Sequence, residues 1–495
     1  MLAVVRQNQL FAVAVAAGTV LRLLAMVGYP GVVWFPNDSF IYLGATLRPA
    51  PDLSETVGYS FFLHALEPFH SLILVSLTQH LLGLGTAALL YLVMRRRGVA
   101  ERWAVLAALP VLLDGNEIAF EHMVMADTVF TFLVAAVVSL LVWWPLPSWR
   151  AYLGAGLLAG CAITVRSAGL PLPFIVLGYL AVRRTGWQRA VAMAVGCVVP
   201  VAVYAIWFHS YSGQYALTRA DGLYLWGRVS SFADCSQIRP PASERGLCLS
   251  APPVLRPPPG QLIWLAPQAH SELPGGPVSA ANDRLLRDFA FRAIAAQPVA
   301  YVHAIADGLV LAVDWHRYAY PSRRIASNYY FQLRPQTLPT NISWVPGGTP
   351  AEDARTYGQA RPSRVIEPAA MLIAGYQRAF FTSGPLFAVI IAAGLGGVVR
   401  FWRQSGGPGL LPWAAAAALL IFPIAVADFS YRYLLPVLVL ACLAAGLAAA
   451  RPHSWLHLGN GFPAESPSLP PRASTMNHEH RTSTPSGLGR CAQDR

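Results

Sequence analysis

The chain has 495 residues, 55% hydrophobic and only 12% charged, against roughly 25% charged in ordinary soluble proteins. Together with a mean hydropathy of +0.45, this excludes a disordered chain and a single soluble globule, and places the apolar residues in long runs or against lipid. The net charge of +12 raises nucleic acid as a partner, but all 36 basic residues are arginine, a usage that fits codon bias and carries no functional weight.

Windows of about 20 apolar residues mark membrane-spanning helices. Clear windows lie at 10–28, 72–94, 123–144, 189–209, 384–402, 409–427 and 431–450, with shorter candidates at 103–114, 150–165 and 168–182. Arg6 ahead of the first window suits a cleaved signal peptide. Arg22 interrupts that run, however, and no clear small-residue cleavage site follows, so the segment reads as a retained helix. With all ten windows crossing, one set of short loops holds Arg6, Arg95, Arg96, Arg97, Arg102, Arg150, Arg183, Arg184, Arg189, Arg400, Arg403 and Arg451. The opposite set holds Asp38, Asp52, Glu55, Glu67, Glu117, Glu121 and Asp428. Short cytoplasmic loops are arginine-rich, so the sequence predicts an all-α, multi-pass cell-membrane protein of about ten spans with both termini cytoplasmic.

This gives an N-terminal membrane module over 1–209, of about seven spans with a long external loop at 29–71, and an extracytoplasmic segment over 210–378. A C-terminal module of three spans follows over 379–450, then a Pro/Ser/Thr/His-rich cytoplasmic tail over 451–495 that lacks apolar periodicity and reads as disordered. The large segment is proline-rich and irregular apart from a helix from Asn282 to about Gln297. There Leu285, Leu286, Phe289, Ala290 and Ile294 share one face while Arg284, Arg287 and Asp288 lie towards the other. That pattern suits either a helix lying on the membrane surface or one packed on the segment's own core. Cys161, Cys197 and Cys442 fall in spans and Cys491 in the tail. Cys235 and Cys248 lie in the large segment, in a compartment that permits a disulfide. No internal repeat is visible.

Ionisable groups at a membrane are costly and usually have a job. Asp38, Glu121, Asp127, Arg166, Asp428 and Arg432 all fall at the external ends of spans. Each has a bland reading. Asp38, in a Pro-Asn-Asp-Ser cluster, can cap a helix, and Asp127 can complement a helix dipole. Arg166 can snorkel to the interface, and Asp428 and Arg432, four apart, can pair locally. Their common face favours a joint role, with arginines for a phosphate and an aspartate for proton abstraction.

These residues resemble the GT-C-fold glycosyltransferases, in the branch that contains protein O-mannosyltransferases and the aminoarabinose transferases of lipid A. The resemblance rests on Asp38, Tyr42 and Gly58-Tyr59-Ser60 in the first external loop, and on Met125-Ala126-Asp127-Thr128-Val129-Phe130 opening a span. Arg166-Ser167-Ala168-Gly169 after the next span and Arg432-Tyr433-Leu434-Leu435-Pro436 opening the last complete it. It covers about residues 8–210 and 380–450 and leaves 210–378 unmatched.

The resemblance implies transfer of a sugar from a polyprenyl-phosphate donor to an acceptor hydroxyl on the outer face, with inversion. The acceptor would be an envelope polysaccharide, a glycolipid or a protein. Asp38 would be the general base, Arg166 and Arg432 would hold the phosphate, and Asp127 or Glu121 would orient hydroxyl groups. Tyr42, Tyr59, His122 and Asp428 join them as substrate-binding candidates. The first loop departs from the family in carrying a lone Asp38 where an adjacent acidic pair is usual. His122 beside Glu121 suggests a metal, but adjacent helical residues do not face one ion and no His-x-x-x-His or cysteine cluster accompanies them. The sequence therefore predicts no obligatory cofactor, a divalent cation being the alternative, and no nucleic-acid partner. Two rival readings are a multi-spanning transporter, with Arg22 lining a path, and a non-catalytic scaffold that binds polyprenyl lipid.

Overall fold

The computed structural model describes residues 8–359, 363–404 and 407–450; Arg6, Arg451, Cys491 and the tail lie outside the described residues. The described chain is all-α, with no β-strand and one isolated bridge between Val33 and Met123. Its first half runs through α1 (Gln9–Gly28), α2 (Asp38–Leu47), α3 (Gly58–Leu66), α4 (Leu72–Arg96), α5 (Glu101–Leu113) and α6 (Gly115–Glu121). α7 (Asp127–Trp143), α8 (Trp149–Val165), α9 (Pro171–Arg183) and α10 (Trp187–Ser212) complete it. Each sequence window falls on one of these helices or on α16 (Gly384–Arg400), α17 (Leu410–Val426) or α18 (Leu434–Ala448) in the C-terminal part.

Local chemistry explains the boundaries. The Ser71 and Ser148 hydroxyls accept from the backbone N–H groups of Leu74 and Ala151, capping α4 and α8. Gly213, at φ 71°, ends α10 in the left-handed conformation that costs glycine nothing. Gly156 and Gly160 on α8 face α10 so closely that a Cβ on either would run into the backbone of Met193 or Cys197. This is the small-residue seam by which helices pack where apolar association alone drives nothing.

Among the described residues, four helices are long and apolar enough to cross a membrane, or up to seven if each bent pair forms one span, and four shorter apolar helices accompany them. The chain is a multi-pass membrane protein. α1 and α10 expose Val13, Val20, Leu23, Val27, Val195, Val198, Val203 and Ile206, an apolar surface that no soluble fold of this kind would leave wet.

The bundle has two chemically different ends. At one, Arg96 stacks over Trp143 and Trp144, Arg97 donates to the Val142 carbonyl, and Arg183 reaches the carbonyls of Pro145 and Gln404. The other end carries the long connections and most of the acids, Glu101 lying at the arginine-rich end.

Between the two membrane parts, α11 (Asp221–Ser230), α12 (Pro259–Leu265) and α13 (Ala280–Ala296) build a separate core around Leu223, Trp226, Ile263, Leu286 and Phe289. α13 therefore packs on this segment's own core, the second of the two readings its sequence pattern left open. Cys235 and Cys248 are bonded there, 6.1 Å apart at Cα.

Pro298, which cannot continue the backbone hydrogen bonding of α13, starts α14 (Pro298–Val313) at a 102° bend. The sequence places this stretch in the irregular segment; the structure makes it a helix. Tyr301 near its start donates to the Ala425 carbonyl at 3.0 Å, and Gly308 packs on Ile424. Its other end, at Val313 and Asp314, abuts Gly384 at the start of α16. Both ends thus touch the acid-bearing ends of α16 and α17, so α14 runs across the bundle and leaves Val299, Val302 and Val310 exposed. α15 (Ala369–Ala379) then packs on α1 before the final three helices.

Candidate active site

The first loop is positioned by stapling to the turn before α7. Val33 N–H donates to the His122 carbonyl at 2.9 Å and Val124 N–H returns to Val33 at 3.2 Å. The Ser39 hydroxyl accepts from Phe35 N–H and donates to the Val124 carbonyl, both at 2.8 Å. These bonds bring Asp38, at the start of α2, beside Asp127, at the start of α7. Gly58 opens α3 directly against the backbone of Thr164 and Val165, where any Cβ would overlap Thr164, so the loop closes just before Arg166.

Four charges meet at this junction. Arg432 donates from Nη1 to Asp38 at 2.6 Å and places Nη2 3.3 Å from Asp127. Arg166 pairs with the other oxygen of Asp127. Asp38 is the most accessible of the four at 20%, while Asp127 is 2% exposed beneath them. Asp38 is therefore no helix cap, Arg166 does not snorkel away, and Arg432 does not pair with Asp428. Two aspartates face two guanidinium groups, a neutral arrangement whose pairs an incoming anion can exchange.

Above the cluster lies a cavity of about 620 Å³, in the size range of a ligand site. Asp38, Tyr42, Glu55, Arg166 and Arg432 form its polar wall. Phe422, Pro423 and Val426 of α17 give it an apolar side, and Tyr224, Trp264 and Trp344 from the long segment an aromatic rim. Glu55 was missed as a site residue by sequence reasoning. It follows a turn in which Asp52 accepts from the Ser54 and Glu55 N–H groups, and it takes the Tyr42 hydroxyl hydrogen at 3.2 Å. Burial, reinforced by the Asp38 and Asp52 carboxylates, pushes its pKa well above the usual carboxylate range. The second acid that the first loop lacks beside Asp38 is thus supplied from 17 residues further along that loop.

Asp127 lies in the cluster beneath the cavity, and four further candidates from the sequence are brought to neither. Both oxygens of Glu121 are occupied, Oε1 by Arg22 at 2.6 Å and Oε2 by Arg22 and His80 at 2.8 Å each. His122 lies between His80, at 3.0 Å, and the Tyr29 carbonyl, at 2.8 Å. Arg22 is consequently neutralised in the bundle and lines no path. Tyr59 is fully buried, its hydroxyl on Gln79 at 2.6 Å and its ring edge-on to Tyr42, which it supports from behind. Asp428 accepts from the Tyr320 hydroxyl at 2.5 Å and Gly260 N–H at 2.7 Å, fastening the long segment to the bundle. Local sequence carries no signal for these pairings, because each partner is remote in the chain.

Residues 65–216 match the family of dolichyl-phosphate-mannose-protein mannosyltransferases, which bears out the resemblance carried by the motifs. That stretch takes in Asp127 and Arg166, whereas Asp38 and Arg432 lie outside it. No curated protein matches the chain significantly.

Among solved structures, the chain is similar to the S. cerevisiae protein O-mannosyltransferase complex bound to the sugar donor, at 16% identity and a TM-score of 0.35, over 50% of this chain and 37% of that one. It is also similar to ArnT from Cupriavidus metallidurans bound to undecaprenyl phosphate, at 14% identity and a TM-score of 0.35, over 88% and 77% of the two chains. The Archaeoglobus fulgidus oligosaccharyltransferase in its apo form gives 12% identity and a TM-score of 0.44, over 90% and 50%. The chain thus spans half or less of the length of the first and third of these proteins.

Proposed function

We propose that the protein is an integral-membrane glycosyltransferase that moves a sugar from a polyprenyl-phosphate donor to an acceptor hydroxyl at the extracytoplasmic face, with inversion. The observation that carries this reading is the convergence of Asp38, Arg166 and Arg432 on one cavity with a lipid-like side. The donor's phosphate oxygens take N–H groups of Arg166 and Arg432, and its hydrocarbon lies along Phe422, Pro423 and Val426. As phosphate takes over Arg432, Asp38 is released to accept the proton of the acceptor hydroxyl. The acceptor oxygen bonds to the anomeric carbon while the bond from that carbon to the phosphate oxygen breaks. The electron pair leaves on polyprenyl phosphate, whose added charge the two guanidinium groups stabilise.

Asp127, buried between the arginines, acts by holding both in register. The arginines supply the positive charge, so turnover is expected to survive a chelator. The arginine-rich end lies in the cytoplasm by the distribution of short-loop charge, which puts the cavity and the Cys235–Cys248 bridge outside, where a disulfide persists. The 210–378 segment, which builds the cavity rim, is assigned to acceptor recognition.

Purified protein in detergent, supplied with labelled polyprenyl-phosphate sugars and envelope polysaccharide, glycolipid or peptide acceptors, should release polyprenyl phosphate. No release with any donor, together with substrate uptake into reconstituted vesicles, would instead make it a transporter.

A further inference from the structure

Glu55, an acid of the cavity wall, takes no part in the mechanism. Glu55 faces Asp38 and Tyr42 on α2, Asp52 in its own loop, and the guanidinium groups of Arg166 and Arg432. Tyr204 of α10 and Tyr224 of α11 also lie within its electrostatic reach. Neither arginine bonds to it: Arg432 is taken by Asp38 and Asp127, and Arg166 by Asp127. Tyr42 engages Oε2, and among the described residues Oε1 is shielded from solvent and has no hydrogen-bond partner. A buried polar atom left unpaired is costly, and here it belongs to a residue of the cavity wall, among the aromatic side chains of Tyr42, Tyr224 and Trp264.

We propose that Glu55 is a second substrate-contacting acid of this cavity, and that it holds a hydroxyl group of the donor's sugar through a protonated carboxyl. The inference rests on the glycosyltransferase reading and deepens it by assigning the sugar subsite to the wall built by Glu55 and Tyr42, apart from the arginines that take phosphate. The protonated form fits the surroundings: burial and two neighbouring carboxylates disfavour the charge, with no cation bonded to offset them. Engaged by Tyr42 on one oxygen, the group still has a hydrogen to donate and a lone pair to accept with, which suits a sugar hydroxyl that does both. No covalent step is assigned to it.

The test separates a neutral acid from a charged one. Glu55→Gln preserves a neutral donor and acceptor, so kcat/KM for donor should fall far less in Glu55→Gln than in Glu55→Ala. Glu55→Ala leaves the sugar hydroxyl unpaired and should raise KM for donor about tenfold to a hundredfold, with a smaller change in kcat. Because the proton is needed, wild-type kcat/KM should fall as pH rises through the raised pKa of Glu55, and Glu55→Gln should lack that fall. Infrared difference spectra at neutral pH should show a protonated-carboxyl C=O band that is absent from Glu55→Gln and shifts when donor is added. A Glu55→Gln enzyme as impaired as Glu55→Ala, or a wild-type spectrum without the band, would overturn the proposal. If the alanine variant does not fold, the glutamine variant and the spectrum still decide. A wild-type protein that turns over no donor overturns the glycosyltransferase reading itself, whereas the carboxyl band is read without turnover, so the two failures remain distinct.

Discussion

Arg432 joins the two acids of the site although it stands 394 positions from Asp38. That separation explains what residue types and spacing carried and what they missed. The common face of Asp38, Asp127, Arg166 and Arg432 was legible, because each stands at the end of an apolar run. Pairing was not. The four-residue spacing of Asp428 and Arg432 suggested a helix-type ion pair, yet tertiary packing gives Arg432 to Asp38 and Asp428 to Tyr320. Glu55 had no motif around it and emerged only when the loop folded over Tyr42. Since Arg432 reaches two acids with one fork, a lysine cannot replace it. Arg432→Lys should lower kcat/KM for donor about tenfold to a hundredfold, read in the polyprenyl-phosphate release assay. A wild-type value would show that the fork does not matter. The Arg22–Glu121 pair makes a structural prediction. Both side chains are 3% exposed, so Arg22→Leu leaves a buried charge and should cost about 3–5 kcal/mol of stability. Thermal unfolding in detergent checks this, and Arg22→Leu combined with Glu121→Leu should recover much of the loss. No change in the single variant would contradict the pairing.

At the scale of elements, the helices of the bundle were readable because a lipid-facing helix must be apolar for most of its length, and that pattern survives in sequence. Two features were not. α13 has the stripe of a surface helix, but a stripe does not say whether lipid or a protein core covers it; here Trp226 and Ile263 do. α14 was hidden by its setting in a segment judged irregular, although Pro298 marks its start. Its two ends touch the same end of the bundle, so it is expected to lie along the membrane surface and not to cross it. Cysteines introduced as Gln297→Cys and His316→Cys should both react with a membrane-impermeant maleimide added from one side. Labelling from opposite sides would make α14 a span and reverse the orientation of every helix that follows it.

For the whole molecule, the charge of +12 resolves into position. Among the described residues, the arginines of the short loops collect at one end, where they engage carbonyls and tryptophan rings. The opposite end gathers most of the acids, the cavity and the long segment. The all-α, multi-pass character was therefore legible from hydropathy, which follows from the membrane as solvent. The fold of 210–378 was not, because a core built from α11, α12 and α13 depends on contacts between distant residues that no periodicity announces. Should the Cys235–Cys248 bridge support this core outside the cytoplasm, peptide mapping of protein from intact cells will find the two cysteines linked, and two free thiols would place the segment in a reducing compartment.

The most direct measurement is the rate at which purified wild-type and Asp38→Asn proteins release polyprenyl phosphate from a labelled polyprenyl-phosphate sugar, with donor binding measured in parallel. The wild type should release it, and Asp38→Asn should be slower by about a hundredfold to ten-thousandfold. The variant should bind donor at least as tightly, because Arg432 has lost a competing carboxylate. Release by Asp38→Asn at the wild-type rate would contradict the assignment of Asp38 as the base around which the site is built.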